Sequence, residues 1–118
     1  MREARVSIRE EFSAKVMYRA SATGEEIRTQ AVIMDISEKG VLFCVAGDGI
    51  PEETEVRAAF HLPGLGNETL IQIVGKTKRA KFLEGGRCGI GVEFTEISRE
   101  NLKSIRSFIA NHQLGEAF

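Results

Sequence analysis

No tryptophan occurs in the 118 residues, and cysteine, histidine and proline occur only twice each. Cys44 and Cys88 lie far apart in hydrophobic surroundings and form no Cys-x-x-Cys, so they read as buried, reduced thiols. Only His61 and His112 could complete a metal site with them. That is too sparse for a cluster, and neither a metal nor another cofactor is expected. An excess of one charge is lacking too: 16 Lys and Arg stand against 17 Asp and Glu, for a net charge of −1 and a pI near 6.1. Binding to a nucleic-acid polymer through bulk charge is thereby excluded, because neutralising its phosphates needs a basic excess. No apolar run approaches the roughly 20 residues that span a bilayer, and no signal-peptide core follows Met1. Membrane insertion is not expected, and the chain reads as cytoplasmic. Internal repeats and low-complexity segments are absent as well.

What is present is the composition of one ordinary domain, 42% hydrophobic and 28% charged. A chain of this length buries roughly two-thirds of its unfolded surface, enough for a core without staples. Residues 1–12 carry Arg2, Arg5 and Arg9 among Glu3, Glu10 and Glu11, with no Gly or Pro. So short a charged stretch holds little structure alone, and it reads as a flexible N-terminal arm.

From Ala14 the apolar period becomes two, with Val16 and Tyr18 on one face and Lys15, Met17 and Arg19 on the other. Further strands are predicted at about Ile27–Ile36, Val41–Val45, Thr54–Leu62, Thr69–Arg79 and Cys88–Phe94. Between them fall turn signals such as Thr23-Gly24-Glu25, Ser37-Glu38-Lys39-Gly40, Pro63-Gly64 and Glu84-Gly85-Gly86. One helix closes the chain, with Ser98 as N-cap, Glu100 in the first turn, a stripe of Leu102, Ile105, Phe108 and Ile109, and Gly115 as its stop. The expectation is a mainly all-β fold: a six-stranded antiparallel barrel with a C-terminal α-helix over 13–114, followed by a tail at 115–118.

Nothing in this order supports an enzyme. A nucleophile elbow, a Gly-x-x-x-x-Gly-Lys loop and a His-Glu-x-x-His are all missing. Gly89-x-Gly91 lies inside a strand and reads as close backbone packing or a sheet bend rather than a phosphate cradle. Two motifs stand out instead. Arg5-Val-Ser-Ile-Arg9 sets two guanidiniums four residues apart on the arm. Asp35-Ile-Ser-Glu-Lys-Gly40 closes the second strand and forms the following turn. Taken alone, the first is solvated surface and the second a β-turn held by Asx-type hydrogen bonds.

Together, about 25 residues apart on this strand pattern, they resemble the PilZ domain family through Arg5, Arg9, Asp35, Ser37 and Gly40. Cys88-Gly-Ile-Gly-Val-Glu-Phe94 is similar to that family's late glycine-rich strand, and Glu96-Ile97-Ser98 to its approach to the final helix. The resemblance implies a PilZ-like barrel of split-barrel type and a ligand, cyclic di-GMP. That ligand carries two phosphates and two guanines. A guanidinium grips a phosphate or the O6/N7 edge of guanine bidentately, or stacks on the base. On this basis Arg5 and Arg9 close over the ligand, Asp35 accepts from guanine N1–H and N2–H₂, and Ser37 supplies a hydroxyl. Gly40 lets the turn bend beside a flat ring. Arg2, Lys39 and Arg79 are further candidates.

The function implied is a receptor whose arm orders on binding and which acts in trans on an unidentified effector protein. It would be a monomer or a ligand-dependent dimer, and not an enzyme. The alternative is an interaction module of the same fold that works without nucleotide. In the family the residue before the arginine motif, here Ala4, influences whether one nucleotide or a stacked pair binds.

Overall fold

The computed structural model describes residues 5–63 and 68–116, with side chains over 12–62 and 68–111. The alternating stretches become six strands: β1 (Arg5–Arg19), β2 (Glu26–Ser37), β3 (Gly40–Ala46), β4 (Glu55–Pro63), β5 (Glu68–Leu83) and β6 (Arg87–Ile97). They close into an antiparallel barrel in the order β1-β2-β3-β6-β5-β4. Closure falls to β1, which pairs with β2 along one edge and with β4 along the other between Ala14 and Tyr18. The helix α1 spans Arg99–Glu116.

Most strand ends shift by a few residues, β5 running on to Leu83 and β6 to Ile97, and two boundaries differ in a more telling way. β1 begins at Arg5 rather than Ala14, and its first residues pair with the end of β2: Arg5 opposite Ser37, Val6 opposite Ile36, Ser7 opposite Asp35. Charged residues hid this strand, because the partner that supplies its backbone hydrogen bonds lies far along the chain. The helix runs on to Glu116, past Gly115. Glycine costs about 1 kcal/mol inside a helix but does not end one by itself.

Inward positions form a single core of Ile33, Phe43, Val56, Phe60, Ile71 and Ile90 among others, all buried. Each such side chain contributes about 1.5–3 kcal/mol by leaving water. Cys44 and Cys88 are free and buried within the same walls. Ile105, Phe108 and Ile109 of α1 plug one end, where the Phe108 ring meets Phe12 edge-on at 6.1 Å. Ser98 caps the helix by accepting from the Asn101 N–H at 3.1 Å. The Asn101 amide then bridges to β5, accepting from the Gln72 N–H and donating to the Leu70 carbonyl.

The connection before β4 is held by one buried hydroxyl. Thr77 is fully buried on β5; its Oγ1 donates to the Pro51 carbonyl at 2.6 Å and accepts from the Thr54 N–H at 2.9 Å. Nearby, Glu53 sits at φ 61°, a left-handed conformation costly for a residue with a side chain. Lys78 and Lys76 beside it lower its pKa. Thr77→Val keeps the shape but strips both hydrogen bonds, and should lower unfolding free energy by about 1–3 kcal/mol in a urea titration. Unchanged stability would mean that other contacts hold the loop.

Candidate functional site

The motif Asp35–Gly40 sits where β2 turns into β3. A register shift between Ile33 and Asp35 places Met34 in a bulge, after which Asp35 stands opposite Leu42. The alternation of the sheet then sorts the two faces. Ile36, Val41, Val92 and Thr77 form an inward row, every member buried. Asp35 belongs to the neighbouring outward row and is half-buried.

That outward row crosses five strands. Ser7 pairs with Asp35, Asp35 with Leu42, Leu42 with Gly91, and Gly91 with Arg79. Strands lie about 4.8 Å apart, so Asp35 and Arg79 bracket a strip about 14 Å wide. Gly91 supplies its floor. A Cβ built there would meet nothing closer than the Arg79 Cβ at 3.8 Å, and one at Gly89 nothing closer than Leu83 at 3.6 Å. Crowding therefore does not require glycine at either position, contrary to the packing role expected from sequence. At Gly91 the missing side chain leaves part of the surface open to a flat group, whereas Gly89 is buried beside Leu83 and Leu42.

Ser37 is 1% exposed. Its Oγ accepts from the backbone N–H groups of Lys39 and Gly40, both at 3.2 Å, and donates to the Gly40 carbonyl at 3.4 Å. One donor and two lone pairs are the whole capacity of a hydroxyl. The Ser37 hydroxyl is thus committed to the turn and is not presented outward, as the sequence reading had it. Exposed Lys39 holds the turn to β6, its carbonyl accepting from the Phe94 N–H at 2.8 Å.

Gly40 also serves a different end from the one expected. It has no positive φ, so the turn does not exploit its freedom to bend. A Cβ at Gly40 would instead collide with the Val92 carbonyl oxygen on β6. The glycine admits a neighbouring strand.

For the arginines the backbone gives the placement. Arg5 lies opposite Ser37, and Arg9 falls inside the register shift between Ser7 and Phe12. Both are on the strand next to Asp35. Arg2 lies outside the described residues. Arg79, one of the further sequence candidates, is put by the register on the same face as Asp35.

A cleft of about 1210 Å³ opens elsewhere on the barrel wall, along Lys15, Met17, Arg28, Arg57, Val74 and Phe94. It includes none of the motif residues. Among the described residues no group of three or more His, Cys, Asp and Glu is placed to hold a metal ion. No helix among them is long and apolar enough to cross a membrane.

The order of strands and the two motifs can be set against known proteins. A family model described as the PilZ domain matches residues 2–111. The chain belongs to the PilZ domain family. None of the curated proteins compared with it matches. Among solved structures, the Bacillus subtilis inhibitor of motility MotI/DgrA aligns with a TM-score of 0.78 at 18% identity, over 98% of this PilZ chain and 52% of its own. The PilZ domain with c-di-GMP of YcgR from Escherichia coli aligns with a TM-score of 0.66 at 9% identity, over 98% and 93%. The K. pneumonia MrkH–c-di-GMP complex gives 0.68 at 18% identity, over 99% and 53%. This PilZ chain therefore spans about half the length of MotI and MrkH and nearly all of the YcgR domain. At these identities the likeness is one of fold.

The Gly40 geometry makes a stability prediction. Gly40→Ala must push β6 away from β3, and overpacking of this kind costs about 1–3 kcal/mol. A thermal melt should show the loss without any ligand. A parental melting temperature would show that the β3–β6 contact yields freely.

Proposed function

We propose that this PilZ domain is a cytoplasmic receptor for cyclic di-GMP that has no catalysis of its own and acts on a partner protein. The observation that carries the reading is the outward row Ser7–Asp35–Leu42–Gly91–Arg79, with the arginine motif on the strand beside Asp35. Solved relatives of the same fold named with c-di-GMP support the choice of ligand.

The chemistry follows from the row. Arg5 and Arg9 are the phosphate and guanine-edge donors, since a planar fork satisfies two acceptors at once. Asp35 accepts from guanine N1–H and N2–H₂. Gly91 gives a base room to lie flat, and Arg79 closes the far end by pairing with a phosphate or stacking on the ring. Lys39 adds positive charge at the edge, and Arg2, just ahead of the arginine motif in sequence, is a further donor. Ser37 and Gly40 act indirectly, by building the turn that aims Asp35. Binding fastens the first residues of β1, already paired with β2, more firmly to the barrel, and the surface so rearranged is what the partner reads.

Calorimetric titration with cyclic di-GMP tests the reading. Hydrogen bonds to charged groups contribute about 1.5–3 kcal/mol, so Arg9→Ala should weaken binding roughly tenfold to over a hundredfold. Arg9→Lys should fail nearly as badly, because a point charge lacks the fork. Gly91→Val should fold, as β-branched residues suit strands, yet lose affinity by covering the floor. If Arg9→Ala bound as tightly as the parent, the clasp would be misassigned; parental affinity in Gly91→Val would remove the floor. The ordering step has its own readout. Amide exchange over residues 5–12 should slow when the nucleotide is added, and equal protection in both states would sink the switch while leaving binding intact.

A further inference from the structure

β5 outlasts the strand on one of its sides. β4 begins at Glu55, opposite Lys76, and the last backbone bonds toward that side join Thr77 to Glu53 and Thr54. On the other side β6 follows β5 to its end, with Leu83 opposite Arg87. From Lys78 to Leu83, therefore, β5 has one paired edge and, among the described residues, no strand against the other. An open edge presents alternate N–H and C=O groups to any further strand.

The two faces of this segment differ in character. Arg79 and Lys81 stand opposite Gly91 and Gly89 on the outer face. Neither makes an ion pair among the described residues, whereas Lys76 and Lys78 are already taken by Glu53 at 3.6 and 3.2 Å. On the opposite face lie Ala80 and Phe82, both exposed, with Phe82 at 77%. Beside an unpaired backbone edge, this open aromatic offers a further strand an apolar contact. A second copy of this chain suits the edge poorly, because it would set the same basic row against itself, and like charges facing across strands destabilise a sheet.

We propose that the Lys78–Leu83 edge of β5 captures an extended segment of a partner protein, added as a further strand, in which acidic residues alternate with apolar ones. Its carboxylates would face Arg79 and Lys81 while its apolar side chains cover Ala80 and Phe82. Main-chain bonds supply affinity and the alternation supplies specificity. The inference does not rest on nucleotide binding.

The test uses the whole chain and a capped peptide of alternating Glu and Val, with its Lys-Val counterpart as control. Titration with the Glu-Val peptide should move the backbone amide resonances of residues 78–83. Lys81→Glu and Phe82→Ala, both surface changes, should each weaken binding about tenfold, and the Lys-Val peptide should not bind. Absence of binding, equal binding of the two peptides, unmoved resonances at 78–83, or parental affinity in both variants would overturn the proposal.

Discussion

The barrel depends on β1 pairing along both edges between Ala14 and Tyr18. Without the contact to β4 the sheet would stay open and leave two long edges exposed to other chains. With it, β1 is fixed in register, and its opening residues run beside the end of β2. Arg5 thereby comes opposite Ser37 and Ser7 opposite Asp35. Two motifs remote in sequence become neighbours through the ladder that closes the fold, so the site needs no separate scaffold.

Within the Asp-x-Ser-x-x-Gly motif the labour divides between strand and turn. Ser37 is buried, with its hydroxyl wholly spent on the turn. Gly40 is needed where β6 passes too close for a side chain. Asp35 lies on the outward row that runs to Arg79. A motif seen as one ligand-binding string is thus mostly a device for aiming one carboxylate. The consequence is practical: a lost ligand in a Ser37 or Gly40 variant would report on the turn before it reported on recognition.

How much of this was legible in the chain follows from the kind of signal each feature carries. β2 to β6 were readable to within a few residues because a buried inner face imposes alternation, as at Val56, Ala58 and Phe60. The first part of β1 was not, since Arg5, Arg9, Glu10 and Glu11 disguise a strand that its partner creates. For Ser37 and Gly40 the sequence left a turn role and a ligand role side by side, and the structure shows the turn role for Ser37 and close strand packing at Gly40. A serine and a glycine in a turn look alike whether they hold the backbone or meet a ligand. Gly91 shows the same limit from the other side, because a glycine in a strand signals either crowding or openness. Only the 3.8 Å to Arg79 decides for openness. The open edge of β5 could not be read at all, because it is defined by where another strand stops.

Arg79 and its neighbours give one short stretch of β5 two faces of use. Arg79 ends the row that begins at Asp35, and the backbone that carries it forms the free edge. The rigid barrel offers little for a surface ligand to deform, since close-packed cores transmit strain but seldom rearrange. Charge is the more direct currency. A ligand with two phosphates laid on the Gly91 floor would sit within about one Debye length of Arg79 and Lys81, near 8 Å at physiological salt. It would cancel much of the positive field that an acidic strand needs at the same edge. On the two proposals taken together, this edge and the nucleotide-built surface would serve different states of the receptor, the acidic strand being held where the messenger is absent.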